Sequence, residues 1–385
     1  MIDFFQHTLS EITFFQWAAL VVFGLLFMSR LFYRLFFSLR ILIHKKRKPA
    51  AGEKVPLSLL LTIRNEEDNL KKNLPEILKL KNADFEVVAV DDFSQDNSLP
   101  VLGVMKQDDV RIRFSSLNQE TRNSVKMAQN IALKAAKNEW VMAVPVSVSG
   151  FGPGWLSCIA ELAGSAHSIV VNYSNVTGAK GFINRLYRVE NFMQQYKSAG
   201  FCKAGLPFVY SEANVAFRKE IYFKSGGYGQ KVKEPYANLE LIFNASLRKR
   251  NTVIHLQAET AVWQSMKVSK DDYFELLKKS IRIENYLSFP KKLVLFLDEF
   301  TKLFFVPALI LVIALIPELW VIYSILTVLL LVLQLLIIKI ILNRLNERKL
   351  FLSSLVYDLL MPFFRVYYRW YFKQRIRNHK WRSRN

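Results

Sequence analysis

Phe85-Glu86-Val87-Val88-Ala89-Val90-Asp91-Asp92-Phe93-Ser94-Gln95-Asp96 is an apolar run that stops in acid. A short apolar run bounded by polar turn residues reads as a buried strand. In an open α/β sheet, ligands sit just beyond the carboxyl ends of the strands, so what those ends carry bears on the chemistry. A second run, 140–144, ends instead in Pro145-Val146-Ser147. One strand end offers carboxylates and the other a single hydroxyl. That contrast suits a nucleotide better than a metal ion held beside it.

Working outward, 55–63 is another strand signal, and Asn65 follows as the cap of a helix opening Glu66-Glu67-Asp68. The alternation continues with helix 98–105, strand 110–114, helix 124–136, strand 140–144, helix 155–162 and strand 169–173. Strands and helices at this spacing predict an α/β fold, a mainly parallel sheet with helices on both faces. Beyond it, Phe182, Leu186, Val189, Met193 and Tyr196 recur at helical spacing as a core stripe. Residues 210–217 carry Asn214, Gly226-Gly227-Tyr228 reads as a turn, and helix 238–250 precedes a strand at 252–256. An amphipathic helix, 271–286, closes the region.

The chain has 385 residues and a net charge of +21. A charge of that size points to nucleic acid, anionic lipid or an anionic substrate, and its placement chooses among them. Much of it lies beside apolar segments, in His44-Lys45-Lys46-Arg47-Lys48, in 343–349 and in the tail 373–384. That pattern favours a membrane surface, and no groove-reading motif argues for nucleic acid. Cys158 and Cys202 form neither a disulfide framework nor a metal-ligand spacing, and read as buried free thiols.

Residues 14–37 are apolar over a length that crosses a bilayer, with Arg30 and Arg34 snorkelling at one end. The basic block that follows stays in the cytoplasm under the positive-inside rule, which turns the amino terminus outward. Runs 303–316 and 319–338, separated by Pro317-Glu318, read as a membrane hairpin. The 350–372 segment is apolar but interrupted by Asp358, Arg365 and Arg369. It is expected to lie in the interface, with Tyr367, Tyr368, Trp370 and Tyr371 at headgroup level. The predicted plan is an anchor at 1–43, a cytoplasmic domain at 50–290, a transmembrane hairpin at 300–342 and an interfacial aromatic and basic tail at 350–385.

With these pieces in order, the chain resembles a membrane-bound member of glycosyltransferase family 2, the group with a nucleotide-diphosphosugar-binding, GT-A-like fold. Thr62-Ile63-Arg64-Asn65-Glu66-Glu67 is similar to the family's first-strand motif. Asp91-Asp92-Phe93-Ser94-Gln95-Asp96 is similar to its second, in which the second acid contacts uracil or ribose. Asn214-Val215-Ala216-Phe217-Arg218-Lys219, followed by Gly226-Gly227-Tyr228, is similar to its acceptor-side segment. The resemblance implies nucleotide contacts at Arg64, Asn65, Glu66, Asp92 and Ser94, and acceptor-side roles for Glu212 and Asn214.

Three positions depart from the family pattern. Pro145-Val146-Ser147 stands where an Asp-x-Asp motif holds a divalent metal, so Mg or Mn is not expected as a cofactor. Asn238 stands where an acid is expected, leaving Glu240 as the candidate base. The Gln-x-x-Arg-Trp motif is replaced by Lys279-Ser280-Ile281-Arg282-Ile283, which keeps Arg282 as a candidate contact to diphosphate or acceptor. Two functions stay open. One is a membrane-anchored transferase-like protein of envelope glycan or glycolipid synthesis, catalytically impaired or a scaffold partnering an active transferase or assembly subunit. The other is an active inverting transferase that moves sugar from a nucleotide diphosphate donor such as a UDP-sugar without a metal, with Lys126, Arg122 and Arg282 as conceivable clamps. The anchor, domain and hairpin together resemble multi-pass enzymes of the bacterial inner membrane.

Overall fold

The computed structural model describes residues 12–43, 54–120, 124–165 and 167–382, with side chains described as far as residue 372. Arg122, the 44–48 basic block and the tail side chains lie outside these. The chain divides into two compact units. One comprises Met1–Leu42, Ser288–Ile340 and Phe351–Asn385, and the other comprises Ile43–Leu287 with Ile341–Leu350.

The second unit is built on a seven-stranded sheet in the order β3-β2-β1-β4-β8-β6-β9. Its strands are β1 (Leu57–Ile63), β2 (Phe85–Asp91), β3 (Ile112–Ser116), β4 (Trp140–Ala143), β6 (Ile169–Asn172), β8 (Val215–Arg218) and β9 (Thr252–His255). β1 pairs in parallel with β2 and β4, and β2 with β3, whereas β8 runs antiparallel to both β4 and β6. The sheet is therefore mixed and mostly parallel, as the alternation of elements predicts. β1 and β2 are buried on both faces, which is why their sequences are continuous apolar runs rather than alternating ones. A three-stranded sheet, β5 (Val148–Ser149), β10 (Val262–Gln264) and β7 (Ser174–Val176), has no strong signature because its strands are only two or three residues long.

The covering helices are α1 (Glu67–Leu78), α2 (Ser98–Asp108), α3 (Ser124–Ala135), α4 (Trp155–Ala163), α5 (Phe182–Lys203), α6 (Glu220–Lys224), α7 (Leu239–Ser246) and α8 (Lys270–Tyr286). Leu70, Leu74 and Ile77 of α1 and Trp155, Ile159 and Ala160 of α4 share one core with β1, β2 and β4. α7 is shorter than the predicted 238–250 helix. Leu247 turns to extended backbone, and Asn251 Oδ1 accepts from the Arg248 amide at 2.8 Å to close a loop instead. Cys202 is buried and Cys158 half-buried, and both are free thiols.

In the other unit the Phe14–Tyr33 helix buries Ala19, Phe23 and Leu26 in a cluster with Ala308, Val312 and Tyr323. Among the described residues, three stretches are long and apolar enough to cross a membrane: Phe14–Ile43, Pro317–Arg344 and Arg348–Phe372. The predicted 303–316 arm is instead the second half of a helix spanning Phe289–Leu315, and it falls short of the ~20 residues a crossing needs before charged residues begin at Lys302. The 350–372 segment, read from sequence as interfacial, qualifies as a span by length and composition. Its interrupting charges are paired: Asp358 accepts from Lys302 at 2.9 Å and Gln334 at 3.1 Å, and Arg365 meets Glu299 at 3.0 Å. Arg30 and Arg34 do not snorkel. Arg30 pairs with Asp298 at 3.3 Å, and Arg34 donates to the Leu330 carbonyl, both buried among helices.

Candidate functional site

The carboxyl ends of β1 and β2 are laced into one surface by short polar bonds. The Asn65 amide donates to Ser94 Oγ at 3.0 Å, and the Gln95 amide returns a bond to Asn65 Oδ1 at 2.7 Å. Asp96 accepts from the amides of Glu67 and Ser98, each at 3.0 Å, and Ser98 Oγ accepts from the Glu66 amide at 2.9 Å. Asn65 and Phe93 sit at φ 54° and 57°, a region that asparagine tolerates and phenylalanine enters only when its surroundings hold it there. Ser94 is therefore framework: besides capping Asn65, its own amide donates to Asp91 Oδ2 at 3.1 Å. Its hydroxyl accepts from the Asn65 amide and keeps its own proton to donate. Asn65 is engaged in the same way, and Glu66 accepts from Asn69 at 2.6 Å.

Asp91 keeps one buried carboxylate oxygen without a partner among the described residues, and Asp92 beside it shares that feature. The Asp92 amide donates to the Ile63 carbonyl at 2.7 Å, which carries its side chain off the end of β2 into full burial. Oδ2 accepts from Ser124 Oγ at 2.9 Å, with Arg64 4.0 Å away. Oδ1 is buried and has no partner among the described residues. Burial pushes this carboxyl above the usual range, against the pull of Ser124 and Arg64. An orphaned buried carboxylate oxygen is costly, and such atoms call for an explanation. Arg64 is half-exposed and also paired with Glu120, so it stands at the rim.

A second cluster gathers the acceptor-side candidates. Glu240 is fully buried, and its carboxylate accepts from the amides of Glu212 and Asn238, each at 2.9 Å, and pairs with Lys279. The Glu212 carboxylate accepts from the Leu239 amide at 2.9 Å and Gln129 Nε2 at 3.0 Å. Burial, then the neighbouring Glu240 charge, pushes Glu212 up to about 7, with Lys279 opposing. Arg282 grips Glu234 in a fork, Nε at 3.1 and 3.0 Å and Nη2 at 2.7 Å, and Tyr286 adds a bond at 3.3 Å. Lys126 donates to the Glu234 carbonyl and is lowered by burial. Arg282, Lys279 and Lys126 thus each have an anionic or carbonyl partner.

The two clusters share α3. Ser124, Lys126 and Gln129 are all buried on it, reaching Asp92, Glu234 and Glu212 respectively. The signal in the sequence was polar residues within a helix that otherwise buries Ala128, Ala132 and Leu133. Asn214 belongs to neither cluster. Its amide donates to the carbonyls of Tyr173 at 2.7 Å and Thr260 at 2.8 Å and accepts from Trp155 Nε1 at 3.1 Å, at φ 63°. These bonds tie together β7's approach, β8 and the start of α4 within the fold.

The 145–147 turn does not fit a divalent cation. The Val148 amide closes it on the Pro145 carbonyl at 3.0 Å, and the Val146 and Ser147 carbonyls accept from Asn73 at 3.1 Å and the Ser265 amide at 2.7 Å. Only the Ser147 hydroxyl remains where a hard cation needs several oxygens. Among the described residues no group of three or more His, Cys, Asp or Glu side chains is arranged to hold a metal.

No curated protein matches the chain. Among solved structures it is similar to the mannosyltransferase PcManGT from Pyrobaculum calidifontis in complex with GDP-Man and Mn2+, at 16% identity and TM-score 0.55, covering 89% of this chain and 98% of that one. It is similar also to S. aureus TarS 1–349 in complex with UDP-GlcNAc, at 14% identity and TM-score 0.42, covering 76% and 90%. The first likeness establishes the fold. The family model for Glycosyl transferase family 2 matches residues 58–224, the segment that supplies β1 to β8 and the whole Asp92 surface. The matched segment, similar to glycosyltransferase family 2, lies on a GT-A-like, mostly parallel sheet, and among the described residues the chain also carries three candidate membrane-spanning helices.

Proposed function

We propose that this protein binds a nucleoside diphosphate sugar at the ends of β1 and β2 without a resident metal, and that it serves envelope glycan or glycolipid synthesis at a membrane with its transfer chemistry impaired. In this reading it acts as a donor-binding subunit beside an active transferase. The main domain is cytoplasmic and the apolar helices hold it at the bacterial inner membrane. The observation that carries the reading is the contrast between the two clusters. Asp92 keeps an unpartnered oxygen for a ligand, while Arg282, Lys279 and Lys126 are engaged by Glu234 and Glu240. Cations held this way are poor substitutes for a metal at a departing diphosphate.

Calorimetric titration of the full chain with UDP and GDP, each with and without Mg or Mn, tests it. Binding of one nucleotide that is indifferent to metal, lost in Asp92→Ala, and unaccompanied by donor turnover is the expected result. Turnover that requires manganese would refute it.

One observation favours the active alternative. Glu212 is only partly buried by its surroundings and its carboxyl is poised near neutral, where a general base works best. In that reading Glu212 takes the acceptor hydroxyl proton as the acceptor oxygen bonds to the anomeric carbon and the bond to the nucleoside diphosphate breaks. Metal-independent turnover abolished by Glu212→Gln would select it.

A further inference from the structure

The candidate spans Pro317–Arg344 and Arg348–Phe372 are joined only by Leu345, Asn346 and Glu347. A three-residue joint between two such helices stands at the bilayer surface, whether the second helix crosses or lies flat. Glu347, which belongs to the sheet-bearing unit, is 2% exposed. It pairs with Arg188, accepts from Trp263 Nε1 at 2.9 Å and lies 3.5 Å from Asn175 Nδ2. Arg188 of α5 is thereby tied, within its own unit, to the joint between the two candidate spans.

The start of α5 lies about 9 Å from Arg188 along the helix, at 1.5 Å per residue. There Phe182 is 73% exposed, and Lys180 and Arg185 flank it, both exposed. The approach is rigid. Asn184 Oδ1 accepts from the Ala179 amide at 3.0 Å, its Nδ2 donates to the Thr177 carbonyl at 3.1 Å, and a Cβ at Gly178 would stand 2.6 Å from Arg188 Nη1. A large aromatic ring held out into solvent between two cations is costly in water and well matched to a lipid headgroup layer.

We propose that residues 178–185 form a membrane-surface contact, in which Phe182 enters the headgroup layer of an anionic bilayer and Lys180 and Arg185 meet lipid phosphates. The contact is independent of what the Asp92 site binds. It places a second, side-chain-mediated attachment on the sheet-bearing unit itself, in addition to its covalent tethers.

The test uses the full chain in vesicles of phosphatidylcholine and phosphatidylglycerol, with its cysteines replaced and one nitroxide label at Phe182→Cys. A control label is placed at Val110→Cys, a position 94% exposed. The expected result is loss of collisions with a water-soluble nickel complex at 182, with gain of collisions with oxygen, while 110 remains open to nickel. Lys180→Glu with Arg185→Glu should restore nickel access at 182. Nickel access at 182 equal to that at 110 would overturn the proposal. So would protection that grows with the protein-to-lipid ratio, since it would assign the patch to a second copy of the chain.

Discussion

The amide of Glu212 donates to the Glu240 carboxylate at 2.9 Å, while the Glu212 carboxylate accepts from the amide of Leu239, the residue before Glu240, also at 2.9 Å. The two acids thus hold each other's backbone, yet only Glu240 pairs directly with Lys279. Glu212, without that direct partner, is the member whose carboxyl burial and the Glu240 charge push up to about 7. Tyr228 and Lys126 also face this pair.

A pH dependence follows with a definite sign. Glu212 titrates at about 7 when folded against an ordinary value of 4.5. Between those values the folded state holds a proton that the unfolded state has lost, so stability is full below 4.5 and falls as pH rises toward 7. Glu212→Gln should flatten that part of the melting profile, by up to about 3 kcal/mol across it. The slope is the readout, because the amide rearranges bonds to Gln129 and Leu239. A parallel profile in wild type and variant would contradict it.

Ser124 is expected to position Asp92. Ser124→Ala removes the 2.9 Å bond to Oδ2 and leaves a buried carboxylate with less support. Affinity for the nucleotide should fall roughly fivefold, about 1 kcal/mol, measured by calorimetry. An unchanged dissociation constant would show that Asp92 does not face the ligand.

Asp96 is expected to matter for stability. Its two oxygens satisfy amides at the starts of α1 and α2, so Asp96→Ala should cost about 2 kcal/mol by thermal or denaturant unfolding. A loss within experimental error would mean that water replaces it.

Among the apolar helices, Lys302 meets Asp358 at 2.9 Å and Asp298 at 3.4 Å. Lys302→Met alone strands Asp358 and should cost about 3 kcal/mol, whereas adding Asp358→Leu should recover much of it. Melting temperatures in detergent decide the matter, and equal losses in the single and double variants would remove the pairing.

Local patterns disclosed the sheet, since β1 and β2 are buried on both faces and their apolar runs stop where the strands stop. The same locality left β5, β7 and β10 unread, because two or three residues carry no period. The Asp92 surface was legible as a motif. Its internal division was not, for Ser94 and Asp92 stand in one polar loop and only burial separates a framework hydroxyl from an unpartnered carboxylate.

Residue order alone determined the alternation of strand and helix, the acid at the end of β2, and the absence of acid at 145–147, because each depends on neighbours in the chain. Tertiary structure decided which charges are available. Arg282 and Glu234 are 48 residues apart, and Lys279 reaches Glu240 from a different helix. Ion pairs between distant segments form only when packing removes both partners from water and brings them together. No local pattern records that event.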